Sequence, residues 1–214
     1  MNTEKLNLIK IPQQSIAAAD SQDTDYSEFK ISNGYGMIAQ AGGQVTVGAE
    51  VDLDVTFKMD SISTQDFKKW LSENKSHFDD EQWHKLEENY AAGGFLGGLL
   101  AGAFGFLFGA GSYNHYKNSH DKEVKNVSDS KKGFLKSLHD TTTTKTKVEG
   151  HIKIIGQSQI PTTGCVYVQV TSIEFKDGTK KVVVDSSDPV VADPNGDPSA
   201  FKQDSSNKLS IVNI

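Results

Sequence analysis

Four histidines, His77, His84, His115 and His120, bracket a long stretch that carries no charge. Imidazole gains charge between about pH 5 and 8, and acid also neutralises neighbouring carboxylates. This arrangement predicts pH sensing, with acid driving the stretch toward an apolar phase. His115 and His120 stand five apart, which does not put both on one helical face, so no metal site is expected. Cys165 is the single cysteine and cannot form an internal disulfide. Its neighbours Val166, Tyr167 and Val168 read as strand, so it is expected to be a small buried residue rather than a reactive thiol. Asp193, Asn195, Asp197 and Asp204 echo a calcium loop. Gly196 is misplaced, however, and Pro198 occupies the position where the sharp turn needs glycine, so a plain turn is expected. There is no nucleophile elbow, P-loop or dinucleotide fingerprint, and Gly34-Tyr35-Gly36 is a strand feature. No catalytic residue, metal or cofactor is expected, and the chain is not read as an enzyme.

Charge narrows the partners. The net charge is -6, and every basic residue is lysine. Arginine is the usual side chain for bidentate recognition of phosphate and base edges. Nucleic acid is therefore not an expected partner.

The uncharged stretch, residues 91–113, reads AAGGFLGGLLAGAFGFLFGAGSY. As a helix, about 23 residues at 1.5 Å each would span the bilayer core of about 30 Å. Gly93, Gly97, Ala101, Gly105 and Gly109 fall four apart, and Gly94, Gly98 and Gly102 form an adjacent row. Small residues at this spacing let helix backbones approach closely in lipid, so these eight positions form the expected helix–helix interface. Phe95, Leu96, Leu99, Leu100, Phe104, Leu107 and Phe108 would face lipid. Four Phe and four Leu contribute roughly -2 to -5 kcal/mol to insertion, a marginal driving force. Conditional insertion by a chain that is first soluble is therefore expected. The N-terminal residues lack the apolar core of a signal peptide, so localisation is expected to be membrane-associated without classical secretion. The flanks differ in sign: Asp79, Asp80, Glu81, Glu87 and Glu88 precede the stretch, while Lys117, Lys122, Lys125, Lys131, Lys132 and Lys136 follow it.

Around this stretch, alternation sets the strands. Residues 1–27 read as a polar arm. Residues 28–59 read as a β-hairpin turning at Ala41-Gly42-Gly43, with Val45 to Met59 alternating apolar and polar. That run also exceeds the 9–11 residues of a transmembrane strand, with Glu50, Asp52 and Asp54 on its polar side. Residues 60–140 read as a helical insertion. Ser63 and Asp66 resemble a capping box, and Phe67, Trp70 and Leu71 recur at helical spacing. Another helix is expected from about 116 to 138, interrupted near Gly133. Trp70, Trp83 and Tyr90 are read either as interfacial anchors or as core. Residues 141–185 return to antiparallel strands, with Asp177-Gly178 as a hairpin turn, and residues 186–214 read as a loop-rich tail.

The expected fold class is α+β: a β-rich body, with an inserted helical region containing a long glycine-zipper helix. The expected function is pore formation or membrane permeabilisation, with the lipid bilayer and further copies of the chain as partners. The rival reading is a self-assembling structural protein of an envelope, filament or particle, whose glycine-striped helices pack in the assembly core.

Overall fold

The computed structural model describes residues 4–11, 24–61, 64–81, 83–84, 87–88, 121–141, 144–184 and 186–212. The strands are β1 (Phe29–Val45), β2 (Glu50–Ser61), β3 (Asp121–Val124), β4 (Thr144–Gly156), β5 (Thr162–Phe175), β6 (Lys180–Val184), β7 (Val190–Ala192), β8 (Phe201–Lys202) and β9 (Lys208–Val212). The helices α1 (Thr64–Glu73) and α2 (Asp129–Thr141) flank them. One sheet runs β3-β1-β5-β6, with β7 also on β5; the other runs β2-β4-β8, with β9 also on β4. All of these pairings are antiparallel.

The two sheets face each other. Val166, Val168 and Val170 of β5 share a buried cluster with Val55 of β2 and Val148, Ile152 and Ile154 of β4. Alternation explains this directly, because residues two apart on a strand share a face. The opposite parity of β5 looks away from the second sheet. There Ile173 and Phe175 meet the helices, while Cys165 and Tyr167 sit with Leu6 and Ala192.

Residues 29–59 do not form a hairpin. β1 pairs with β5 and β3, whereas β2 pairs with β4 in the other sheet. The expected turn at residues 41–43 is a bulge: Gln40 lies opposite Cys165 and Gln44 opposite Thr163, so the β1 strand carries extra residues there. The true turn comes at residues 46–49, where Gly48 has φ +80, a left-handed conformation that glycine adopts without steric cost. There the chain changes sheets, and it crosses the corresponding change from β4 to β5. Val47 N–H donates to Ser158 O (2.7 Å), Gly156 N–H to Ala49 O (3.0 Å) and Gly48 N–H to Gly156 O (3.4 Å).

The fold class needs a second correction. Strand is the commonest state of the described chain, in two antiparallel sheets, and α1 and α2 have 10 and 13 residues. No helix among the described residues is long and apolar enough to cross a membrane. The described architecture is thus two antiparallel sheets with short flanking helices, which does not match the expected α+β body organised around a long apolar helix. Residues 91–113 themselves lie outside the described residues. Downstream, the stretch expected to be helical carries β3 at its first described residues, and α2 then runs without a break through Gly133, the place of the expected interruption. The C-terminal region carries β7, β8 and β9, woven into both sheets.

Candidate functional site

The two flanks of residues 91–113 converge on one apolar cluster. Upstream, α1 lays Phe67, Trp70 and Leu71 onto Phe29, Ile31, Ile173, Phe175 and Val183. The 3–4 spacing of those three residues makes the helix one-sided, and burial of that side holds it in place. Asn74 closes the helix: its backbone N–H (3.0 Å) and its Nδ2 (2.8 Å) both donate to Trp70 O. A short 3-10 turn, Lys75–His77, then delivers Phe78 into the same cluster. Trp83 packs against the cluster while partly buried, with the Lys75 ammonium 5.2 Å from its ring centroid.

Downstream, β3 adds to the edge of β1, with Val124 opposite Phe29. Asn126 then takes φ +58, a region asparagine tolerates better than most residues. Val127 N–H donates to Ser27 O (3.0 Å), and α2 follows with Phe134, Leu135 and Leu138 buried. The flanks meet through aromatic rings: Phe134 lies 5.2 Å from Trp70 and 5.7 Å edge-on from Phe78. The described residues before and after the apolar stretch thus meet in one cluster of the same body.

The sequence-derived site residues fare unequally. The glycine rows and the apolar residues at 93–109, together with Tyr90, His115 and His120, lie outside the described residues. Of the other two bracketing histidines, His77 sits edge-on to Phe134 at 5.3 Å, and His84 is exposed. Trp70 is core, at 3% exposure, so it is no interfacial anchor. Among the acidic flank, Asp79, Asp80, Glu81, Glu87 and Glu88 are exposed. The downstream lysines are partly offset locally: Lys125 pairs with Glu123 (3.3 Å), Lys132 with Asp129 (2.9 Å) and Lys136 with Asp140 (3.4 Å). The charge asymmetry of that flank is correspondingly smaller than its lysine count suggests.

Elsewhere the chemistry is structural. Cys165 is fully buried, and burial raises its thiol pKa. Tyr167 donates from its hydroxyl to Asp193 O (2.8 Å), and burial pushes its pKa up to about 12. The calcium-loop echo is a turn: Asp193 Oδ1 accepts from Asn195 N–H and Asp197 N–H, both at 2.8 Å, and Gly196 has φ +78. Among the described residues no group of three or more His, Cys, Asp or Glu could hold a metal.

One titrating cluster escaped the sequence reading. On the solvent side of the second sheet, β2 and β4 put Asp54 opposite His151 and Asp52 opposite Lys153. The His151 ring lies 2.8 Å from Asp54 and 3.4 Å from Asp52. The hydrogen bond to Asp54, with the Asp52 charge added, raises the His151 pKa above its ordinary value. Lys153 reaches Glu50 at 3.3 Å. The acidic side of β2 is therefore the solvated face of a half-buried strand.

No known family model, curated protein or solved structure matches the chain.

Proposed function

We propose that this protein permeabilises membranes as a self-associating assembly, acting through residues 91–113 with the two-sheet body as a platform. The observation that carries this reading is the uncharged run itself, with small residues every fourth position. Such spacing suits association where no hydrophobic effect separates chain from lipid. The body refines how the run would be used. Its flanks share the cluster of Trp70, Phe78 and Phe134, so while that cluster holds, both ends stay on one side of a bilayer. Folded back on itself, even a fully helical half of the run reaches only about 17 Å, roughly half of a hydrocarbon core of about 30 Å. Shallow, one-sided insertion is the form this proposal takes, and a full crossing would need one flank to leave the cluster.

Dye release from liposomes by the purified chain, at neutral and mildly acidic pH, tests it. Leakage that Gly97→Leu or Gly105→Leu abolishes is expected. Intact vesicles at both pH values would refute the proposal. The second reading, a self-assembling structural protein, is favoured by one observation of its own: residues 4–11 attach to the body by strand addition. Assemblies that form in plain buffer, without leakage, would decide for it.

A further inference from the structure

Residues 4–11 lie along the free edge of β1. Leu8 and Tyr35 make a parallel bridge. Ile9 N–H donates to Tyr35 O (2.8 Å), and Tyr35 N–H donates to Asn7 O (2.7 Å). Leu6 N–H reaches Gly196 O (2.8 Å), and Asn7 Nδ2 reaches Asn33 O (2.9 Å). β3 takes this edge of β1 only from Phe29 to Ser32, so the arm continues the sheet where β3 stops.

The seat is built for this peptide. Gly34 and Gly36 stand opposite Val170 and Val168, and the arm's Ile9 and Ile11 pack there against the inter-sheet core. A Cβ on Gly34 would lie 2.5 Å from Asn7 O and 2.9 Å from Ile9 Cγ1; one on Gly36 would overlap the end of Ile11. At the other end, a Cβ on Gly196 would lie 3.2 Å from both Leu6 Cβ and Leu6 O. Side chains at these glycines would fill the hollow that the arm now fills.

Each of these contacts is to β1, to its partner β5 or to the turn at Gly196, and none depends on which chain supplies the arm. Residues 12–23 connect the arm to the body and could span about 40 Å if extended. We propose that the arm exchanges between copies, so that residues 4–11 of one chain seat on β1 of another. Exchange keeps every contact and so costs little, and adding an extended peptide to a sheet edge is a general mode of recognition. A vacated seat would leave the Tyr35 backbone unpaired and an apolar hollow over Gly34 and Gly36. The occupant with matching side chains is the arm of a second copy. Tethering through only twelve residues gives the chain's own arm an effective concentration in the mM range. Exchange therefore grows as chains are crowded to that level, as in an assembly.

Full-length chains carrying Leu8→Cys are mixed with differently tagged chains carrying Tyr35→Cys under mild oxidation. The expected result is a covalent mixed dimer that increases with chain concentration and is lost when Gly36→Val is added to the Tyr35→Cys chain. Thr179→Cys, partly exposed at a distant turn, reports random collision. Mixed dimer no more abundant than with Thr179→Cys overturns the proposal, provided that the double variant Leu8→Cys/Tyr35→Cys closes within one chain. Should the double variant not close, a fluorescent peptide of residues 4–11 is titrated into the intact protein. Saturable binding that Gly36→Val removes then supports exchange, and no binding overturns it. The test uses neither lipid nor residues 91–113, so its failure and that of the leakage proposal are separable.

Discussion

Gly156→Ala is expected to be the most damaging single-methyl change in the described body. Gly156 lies where the β1–β2 turn crosses the β4–β5 connection. An added Cβ would fall inside the radius of Thr46 O, and would lie 2.6 Å from Thr46 C and 3.0 Å from Val45 Cγ1. Two of the three are backbone atoms, so no rotamer change relieves the overlap. The Thr46 backbone must withdraw, and the hydrogen bonds Val47 N–H to Ser158 O, Gly156 N–H to Ala49 O and Gly48 N–H to Gly156 O go with it. At about 0.5–1.5 kcal/mol net for each bond, the loss comes to about 3 kcal/mol. For a chain of this size that corresponds to a fall in Tm of about 6–12 °C. Gly133→Ala is the control, since a Cβ there meets nothing within 4 Å on an exposed helical position. It should stabilise by about 0.5–1 kcal/mol through helix propensity. Urea unfolding followed by circular dichroism reads both. A Gly156→Ala midpoint equal to that of the parent would refute the corner geometry, and with it the account of how the chain changes sheets.

Phe134→Ala removes the ring through which the two flanks meet, and should cost about 3–5 kcal/mol in the same unfolding assay. His151, followed by NMR, should titrate above the ordinary value of about 6.5, and Asp54→Asn should bring it down. Because its folded-state pKa is raised, the His151–Asp54 contact stabilises fully below the unfolded pKa and is lost as pH rises through the folded one. Cys165 should resist a thiol reagent at pH 8 in the folded protein and react at once in denaturant, since burial both shields the thiol and raises its pKa.

Faces were legible in the sequence and partners were not. The parity of β2 correctly separates Val55 from Asp52 and Asp54, because alternation fixes which side of a strand is apolar. It says nothing of which strand lies alongside, so two consecutive strands looked like a hairpin although they belong to different sheets. Gly42 and Gly43 resemble a turn on composition alone. The register of β1 against β5 makes them a bulge, and Gly48 turns the chain instead. Asp121-Lys122-Glu123-Val124 reads as polar helix because it lacks an apolar face. It is a short edge strand, a place where charge is expected, since it discourages pairing with other chains. The helical spacing of Phe67, Trp70 and Leu71 did identify α1, whereas the helix expected from about 116 to 138 starts only at Asp129 among the described residues and is not interrupted at Gly133. The seat of the arm was missed: residues 1–27 read as polar although Leu6, Ile9 and Ile11 pack on the body, and the hollow that receives the two isoleucines is made by Gly34 and Gly36. The His151 cluster was out of reach for a similar reason, as its members lie far apart in the chain and meet only through strand register.

Pairing β1 with β5 also sets a timetable for synthesis. Phe29 must wait for Phe175, and at about 5–20 residues per second a ribosome takes on the order of ten seconds to make the chain between them. During that interval the oily run at residues 91–113 has already been made, while the sheet to which its flanks belong is still missing its central strand. Nascent chains should therefore need a holdase or a nearby lipid surface soonest in this window, before any finished molecule exists to act.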